Sequence, residues 1–173
     1  MKKIIYVAVA LLVFASCEKP NKIGFVDNEA VINDYKEKID LETKFQSKQD
    51  AYRVKFDSID KAFDAEVQAF QNGARKMAQT AAQQKYQELG QKQQVLDQQK
   101  QVEAQQFRQA FQTELDSIIK KVKAYENDYG KRNGYTYLLG TSDATSTVLY
   151  GAEENDLTQI ILDSLNAKYE NKK

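Results

Sequence analysis

Residues 45–72 read FQSKQDAYRVKFDSIDKAFDAEVQAFQN, and this stretch decides the fold. Phe45, Tyr52, Phe56, Ile59, Phe63 and Phe70 follow one another at steps of seven, four, three, four and seven. That spacing is a heptad seam with one skipped position, at Glu66, beside Val67. The opposite faces carry Lys, Asp, Glu and Gln, as a solvated helix surface requires. From Asn28 to Asn72 there is neither Pro nor Gly. An uninterrupted helix over that span would be roughly 65 Å long at 1.5 Å per residue.

Outward from this stretch, Asn72-Gly73 breaks the pattern and Gly90 is a second weak point. A second helix is expected up to Tyr129. Its proximal seam is Phe107, Phe111, Leu115, Ile118, Val122, Tyr125 and Tyr129. The breaker region sits midway between the start of the first helix and the end of the second. Two helices therefore fold back on each other as an antiparallel hairpin over 28–129, with its tip at 72–84. A single continuous rod is the alternative. Fourteen Gln fall between Gln79 and Gln112, and seam positions land on Gln93, Lys100 and Glu103 as often as on Leu89, Leu96 and Val102. Such an arm stays helical by propensity but buries little. It is either a coiled coil open to solvent or an arm kept loose to adapt to a client.

The flanks carry short β segments. Residues 22–27, KIGFVD, read as a strand that runs straight into the first helix. Arg132-Asn133-Gly134 is a helix-stop and turn signal. Tyr135 to Leu139 and Ser146 to Tyr150 read as strands around a polar turn. Asn155-Asp156 caps a closing amphipathic helix with Leu157, Ile160, Ile161, Leu162 and Leu165. The class is α+β, mostly α, with a hairpin arm on a small body made of 22–27 and 130–173. Three short strands and one helix are too little to cover the apolar roots of the arm. An oligomer sharing this base is expected, through Ile23, Phe25, Val26, Tyr135, Tyr137, Leu139, Val148 and Tyr150; a monomer with an exposed base is the alternative.

The N-terminus is a targeting segment. Lys2 and Lys3 precede an apolar run from Ile4 to Phe14, then Ala15, Ser16 and Cys17, the only cysteine of the 173 residues. Residues 1–16 read as a signal peptide, too short an apolar run to span a bilayer. Phe14-Ala15-Ser16-Cys17 resembles a bacterial lipobox, with Phe where Leu is commoner, and makes Cys17 a candidate lipidation site. The alternative is a plain signal peptide that contains a Cys. Glu18 in place of Asp favours, by resemblance to lipoprotein sorting rules, the outer membrane.

Without Lys2 and Lys3 the chain holds 23 basic and 25 acidic side chains, a balance unlike that of a phosphate-gathering nucleic-acid binder. It has no His and no Gly-rich phosphate loop. An enzyme, a metal site and a bound cofactor are therefore not expected. Asp156 is more simply a helix cap than a catalytic acid.

The order of segments resembles the Skp/OmpH family of periplasmic chaperones. The matching stretches are KIGFVD and NEAVI at 22–32, VKAYENDYGKRNGY at 122–135, and Val148-Leu-Tyr150 with Asp156-Leu-Thr158 and Leu165-Asn166. The resemblance implies a trimer whose strands share one β-barrel body, with three hairpins around a cavity. Unfolded outer-membrane proteins would be held there without ATP, in the periplasm of a Gram-negative bacterium. Candidate client contacts along the arm are Phe63, Val67, Phe70, Met77, Tyr86, Leu89 and Leu96, some of which could equally pack the hairpin. Arg75, Lys76, Lys85 and Lys92 form a mild basic patch near the tip, opposed by Glu88. This departs from the family's strongly basic tips. The competing function is a structural or tethering lipoprotein.

Overall fold

The structure, a computed structural model, describes residues 21–142, 144–145 and 147–171. The expected signal peptide and the candidate lipidation site Cys17 lie outside these residues.

Strand β1, Ile23–Asp27, passes without a loop into helix α1, Asn28–Asp34. Asp27 makes the junction: its Oδ1 accepts the backbone N–H groups of Glu29 and Ala30, both at 3.0 Å. This satisfies two of the donors that a helix start leaves open. The absence of Pro and Gly predicts an unbroken helix onward from Asn28; the chain instead breaks at Tyr35, whose φ of −69° and ψ of 120° are extended. Tertiary packing causes the break. The Tyr35 side chain is 4% exposed and meets Tyr169 edge-on, centroid to centroid 6.0 Å. Helix α2, Lys36–Gly73, then starts in a new direction.

Helix α2 has 38 residues and helix α3, Gln79–Arg132, has 54. At 1.5 Å per residue they measure about 57 Å and about 81 Å. A 3-10 turn, Ala74–Lys76, and extended Met77 and Ala78 reverse the chain between them. Cross-hairpin ion pairs join Lys44 to Glu114, Lys55 to Glu103 and Asp60 to Lys100. One number rises as the other falls, so the helices are antiparallel. Gly90, the expected weak point, lies within α3 without breaking it. A lone helical Gly costs only about 1 kcal/mol, which the rest of a long helix absorbs.

Beyond α3, Asn133 Nδ2 donates to the Tyr129 carbonyl at 2.8 Å, and Gly134 adopts a φ of 69°, the left-handed turn that glycine permits. Strand β2, Tyr137–Thr141, then pairs with β1 in parallel, from Ile23 opposite Tyr137 to Asp27 opposite Thr141. The strand expected at Ser146–Tyr150 does not form over the described residues 147–150. Leu149 and Tyr150 are 92% and 89% exposed there. A strand needs a neighbouring strand to pair with, and among the described residues none pairs with this segment. Helix α4, Thr158–Glu170, begins later than the expected cap at Asn155-Asp156. Asp156 Oδ1 accepts from both the N–H and the hydroxyl of Thr158, at 2.9 and 2.6 Å. That Thr158 hydroxyl also accepts the Asp27 N–H at 2.9 Å, so one side-chain chain ties the end of β1 to the start of α4.

The connected core lies at the base. Val26, Val31, Tyr35, Leu41 and Phe45 pack with Ile118 and Val122 of α3 and with Leu157, Ile161, Leu162 and Leu165. Ile161 and Val31 are fully buried. Val26, expected at an intermolecular interface, is 1% exposed and belongs to this core.

Candidate functional site

Two surfaces stand apart from the core: the distal arm and the outer face of the small sheet. The arm's apolar seam starts firmly. Phe45 meets Phe107 and Phe111 edge-on at 5.1 and 5.2 Å, and Phe56 is 4% exposed. Between Phe56 and the tip, and back down α3 as far as Ile118, Leu89 is the one buried apolar residue among those described. Ion pairs take over where apolar cover ends. Lys100 Nζ lies 2.6 Å from Asp60 Oδ1, and Lys55 Nζ lies 2.7 Å from Glu103 Oε1. Glu66 receives two lysines, Lys85 at 2.9 Å and Lys92. Hydrogen bonds from Lys92 and then Lys85 hold the Glu66 carboxyl down at about 2. Lys55, with Gln99, lowers the Glu103 carboxyl, and Asp60 raises the Lys100 ammonium. These pairs are solvent-washed, and water and salt screen each of them. Reading the sequence for apolar periodicity alone misses this ladder. Its trace is there: Glu66 is the gap in the α2 seam, and Lys100 and Glu103 are the seam positions that hold charge in α3.

The candidate client residues divide by exposure. Tyr86 and Met77 are exposed, at 72% and 40%, with Met77 in the turn. Phe63, Val67, Phe70 and Leu96 are half-buried along the hairpin. Leu89, buried between the helices, offers a client no surface in this conformation. The four basic residues divide too. Arg75 and Lys76 stand exposed at the turn, without an ion pair among the described residues. Lys85 and Lys92 share Glu66, and Lys85 also reaches Glu88 at 3.1 Å, so these two cations face two carboxylates. The charge field of the tip is therefore that of two cations rather than four.

At the base, side chains alternate across the strands. Gly24 and Val26 face the core. A Cβ on Gly24 would come within 2.7 Å of Leu157 Cδ1, so bulk is excluded there. Ile23, Phe25, Tyr137 and Leu139 share the opposite face, paired across the two strands. Ile23, Tyr137 and Leu139 are 44%, 58% and 39% exposed. Phe25 is half-buried beneath Gly151, where a Cβ would lie 2.3 Å from the ring. Tyr135 packs on the margin of the core, with Lys22 Nζ 4.1 Å above its ring. Val148 is half-buried and Tyr150 exposed in the irregular segment that follows. Among the described residues, no group of His, Cys, Asp or Glu could hold a metal ion, and no helix is long and apolar enough to cross a membrane.

A long two-helix arm rooted in a small α+β base, with a partly exposed apolar sheet face, defines a class of hairpin-armed proteins built on a parallel strand pair. Within it, the chain belongs to the OmpH-like family, described as outer membrane protein (OmpH-like), which matches residues 22–165. The fold is also similar to that of a proposed outer membrane chaperone (OmpH-like) from Caulobacter crescentus, with a TM-score of 0.77 over 87% of each chain. At 13% identity that likeness is one of fold alone. No protein of curated function matches the chain.

Proposed function

We propose that this protein is an ATP-independent holding chaperone of the Gram-negative periplasm. Copies of the chain, three by family resemblance, join through the outer face of β1 and β2, and their arms enclose unfolded outer-membrane proteins. The observation that carries the reading is the sheet face itself. Ile23, Tyr137 and Leu139 lie side by side and uncovered on a sheet of only two strands. A pair of strands with one open apolar face is not stable alone in water and gains by covering that face. Cys17 would anchor the assembly to a membrane through its lipid, with the outer membrane favoured by Glu18.

The arm suits a weak and adaptable grip. Its apolar side chains are scattered, so each contact is small, and many contacts act together on one client. An unfolded β-barrel chain exposes apolar segments and unpaired strand edges that join one another. Met77, Tyr86 and the half-buried Phe63, Val67, Phe70 and Leu96 would contact such segments. Arg75 and Lys76 add a mild attraction to acidic stretches.

The test is light scattering after dilution of a urea-unfolded outer-membrane protein. A stoichiometric amount of the purified chain should hold the scatter near its starting level. Unchanged aggregation, together with capture of a single folded envelope protein in equal amount, would replace caging with tethering.

A further inference from the structure

Asn28 Oδ1 and Glu126 Oε1 are buried, and among the described residues neither has a hydrogen-bond partner. Both residues line one cavity of about 370 Å³ between the last turns of α3 and strand β2. Two orphan acceptors thus line one cavity, and buried polar groups rarely go without a partner; the nearby Asn127 and Thr136 side chains of the wall bond neither of them. A charged carboxylate in that position carries a far larger desolvation cost than the neutral acid.

The charges around the cavity do not relieve it. Its cations, Lys123 and Lys131, both come from α3, and both are exposed. Neither forms an ion pair with Glu126 among the described residues. Tyr135 is the other titratable residue of the wall. Strand β1 contributes Val26, and β2 contributes Leu138, Leu139 and Gly140, none of them charged. The Asn28 amide is seated against β2, since a Cβ on Gly140 would fall 2.3 Å from its Nδ2.

We infer that Glu126 is a proton-binding site at the root of the arm, its carboxyl taking up a proton in mild acid while the base stays folded around it. One proton turns the buried carboxyl oxygen from an acceptor into a donor and removes the charge that burial penalises. Burial pushes the Glu126 carboxyl up to about 7, against the opposing pull of Lys123. The folded chain then holds a proton that the unfolded chain releases between the ordinary carboxylate range and neutrality. This group's contribution to stability is fully present below that ordinary range and is lost as pH rises to about 7. Mild acid tightens the joint between arm and base.

Carboxyl-carbon NMR titration of the full chain, with Glu126→Gln to assign the signal, tests this. One Glu resonance should titrate with a midpoint near 7 and vanish in the variant. Lys123→Gln, which removes the opposing cation, should move that midpoint upward. Thermal unfolding between about pH 5 and 8 should show a fall in Tm for the native chain and a smaller fall for Glu126→Gln. A Glu126 midpoint in the ordinary carboxylate range would overturn the inference. So would identical pH slopes for the two proteins. If Glu126→Gln fails to fold, the native titration and its displacement by Lys123→Gln decide alone.

Discussion

The side-chain oxygen of Asn166, late in α4, accepts the backbone N–H of Lys36 at 2.9 Å, and so caps α2 from 130 residues away in sequence. The cap sits where Tyr35 turns into the core and α2 takes its direction. The Lys36–Glu170 ion pair and the hydrogen bond from the Tyr169 hydroxyl to Asp40 add to this link between closing helix and arm, and the aim of the arm depends on the last segment of the chain.

Asn166→Ala removes that cap. Loss of such an acceptor costs about 1 kcal/mol, which for a domain of this size lowers Tm by roughly 2–4 °C. Thermal unfolding followed by circular dichroism measures it. A drop within experimental scatter would mean that water replaces the side chain at no cost.

Ile161→Ala acts on the core itself. The side chain is fully buried among the roots of the arm, and truncation at such a site costs about 2–5 kcal/mol. Leu96→Ala, at a half-buried arm position, should cost much less. Denaturant titration of both variants checks the contrast, and equal losses would contradict a core confined to the base.

The arm should be sensitive to acid and salt beyond Phe56. The Glu66 carboxyl is held at about 2 by its lysines. Its depressed value means that its contribution is present above the ordinary carboxylate range and is lost as pH falls from there toward about 2. Glu66→Gln removes the same contacts at neutral pH. Hydrogen exchange should then accelerate in the distal halves of α2 and α3, with the base amides unchanged. Exchange that rises equally throughout the chain would argue against a local ladder.

The sheet face should govern assembly. Native mass spectrometry at micromolar concentration is expected to give a homo-oligomer, and Leu139→Asp, placing a charge amid Ile23, Phe25 and Tyr137, is expected to shift it to single subunits. A native chain that remains a lone folded subunit would refute a shared base and the cage with it.

Much of this architecture was legible from residue spacing. The α2 seam, the interrupted pattern after Asn72 and the proximal α3 seam all report local periodicity, which a helix imposes on its own sequence. The break at Tyr35 was not legible, because it depends on Tyr169 and Asn166, far along the chain. The failed strand at 147–150 shows the complementary limit. Val148, Leu149 and Tyr150 have the composition of a strand, but composition supplies no partner. The surfaces were legible only in part. Val26 and Ile23 look alike in sequence, and only the strand register sends one inward and the other out. The orphan pair of Asn28 and Glu126 left no sequence signal at all, since neither residue type nor spacing reports burial.

The parallel pairing of β1 with β2 bears on the order in which this chain matures. Ile23 finds Tyr137 only after roughly a hundred intervening residues exist, and closing so long a loop from an unstructured chain is entropically slow. Zipping the two limbs first shortens that loop to a few residues. A polypeptide threaded through a membrane from its N-terminus would therefore keep its earliest strand idle until nearly the whole translation product had crossed, and the stalk would act as the template on which the foot is assembled.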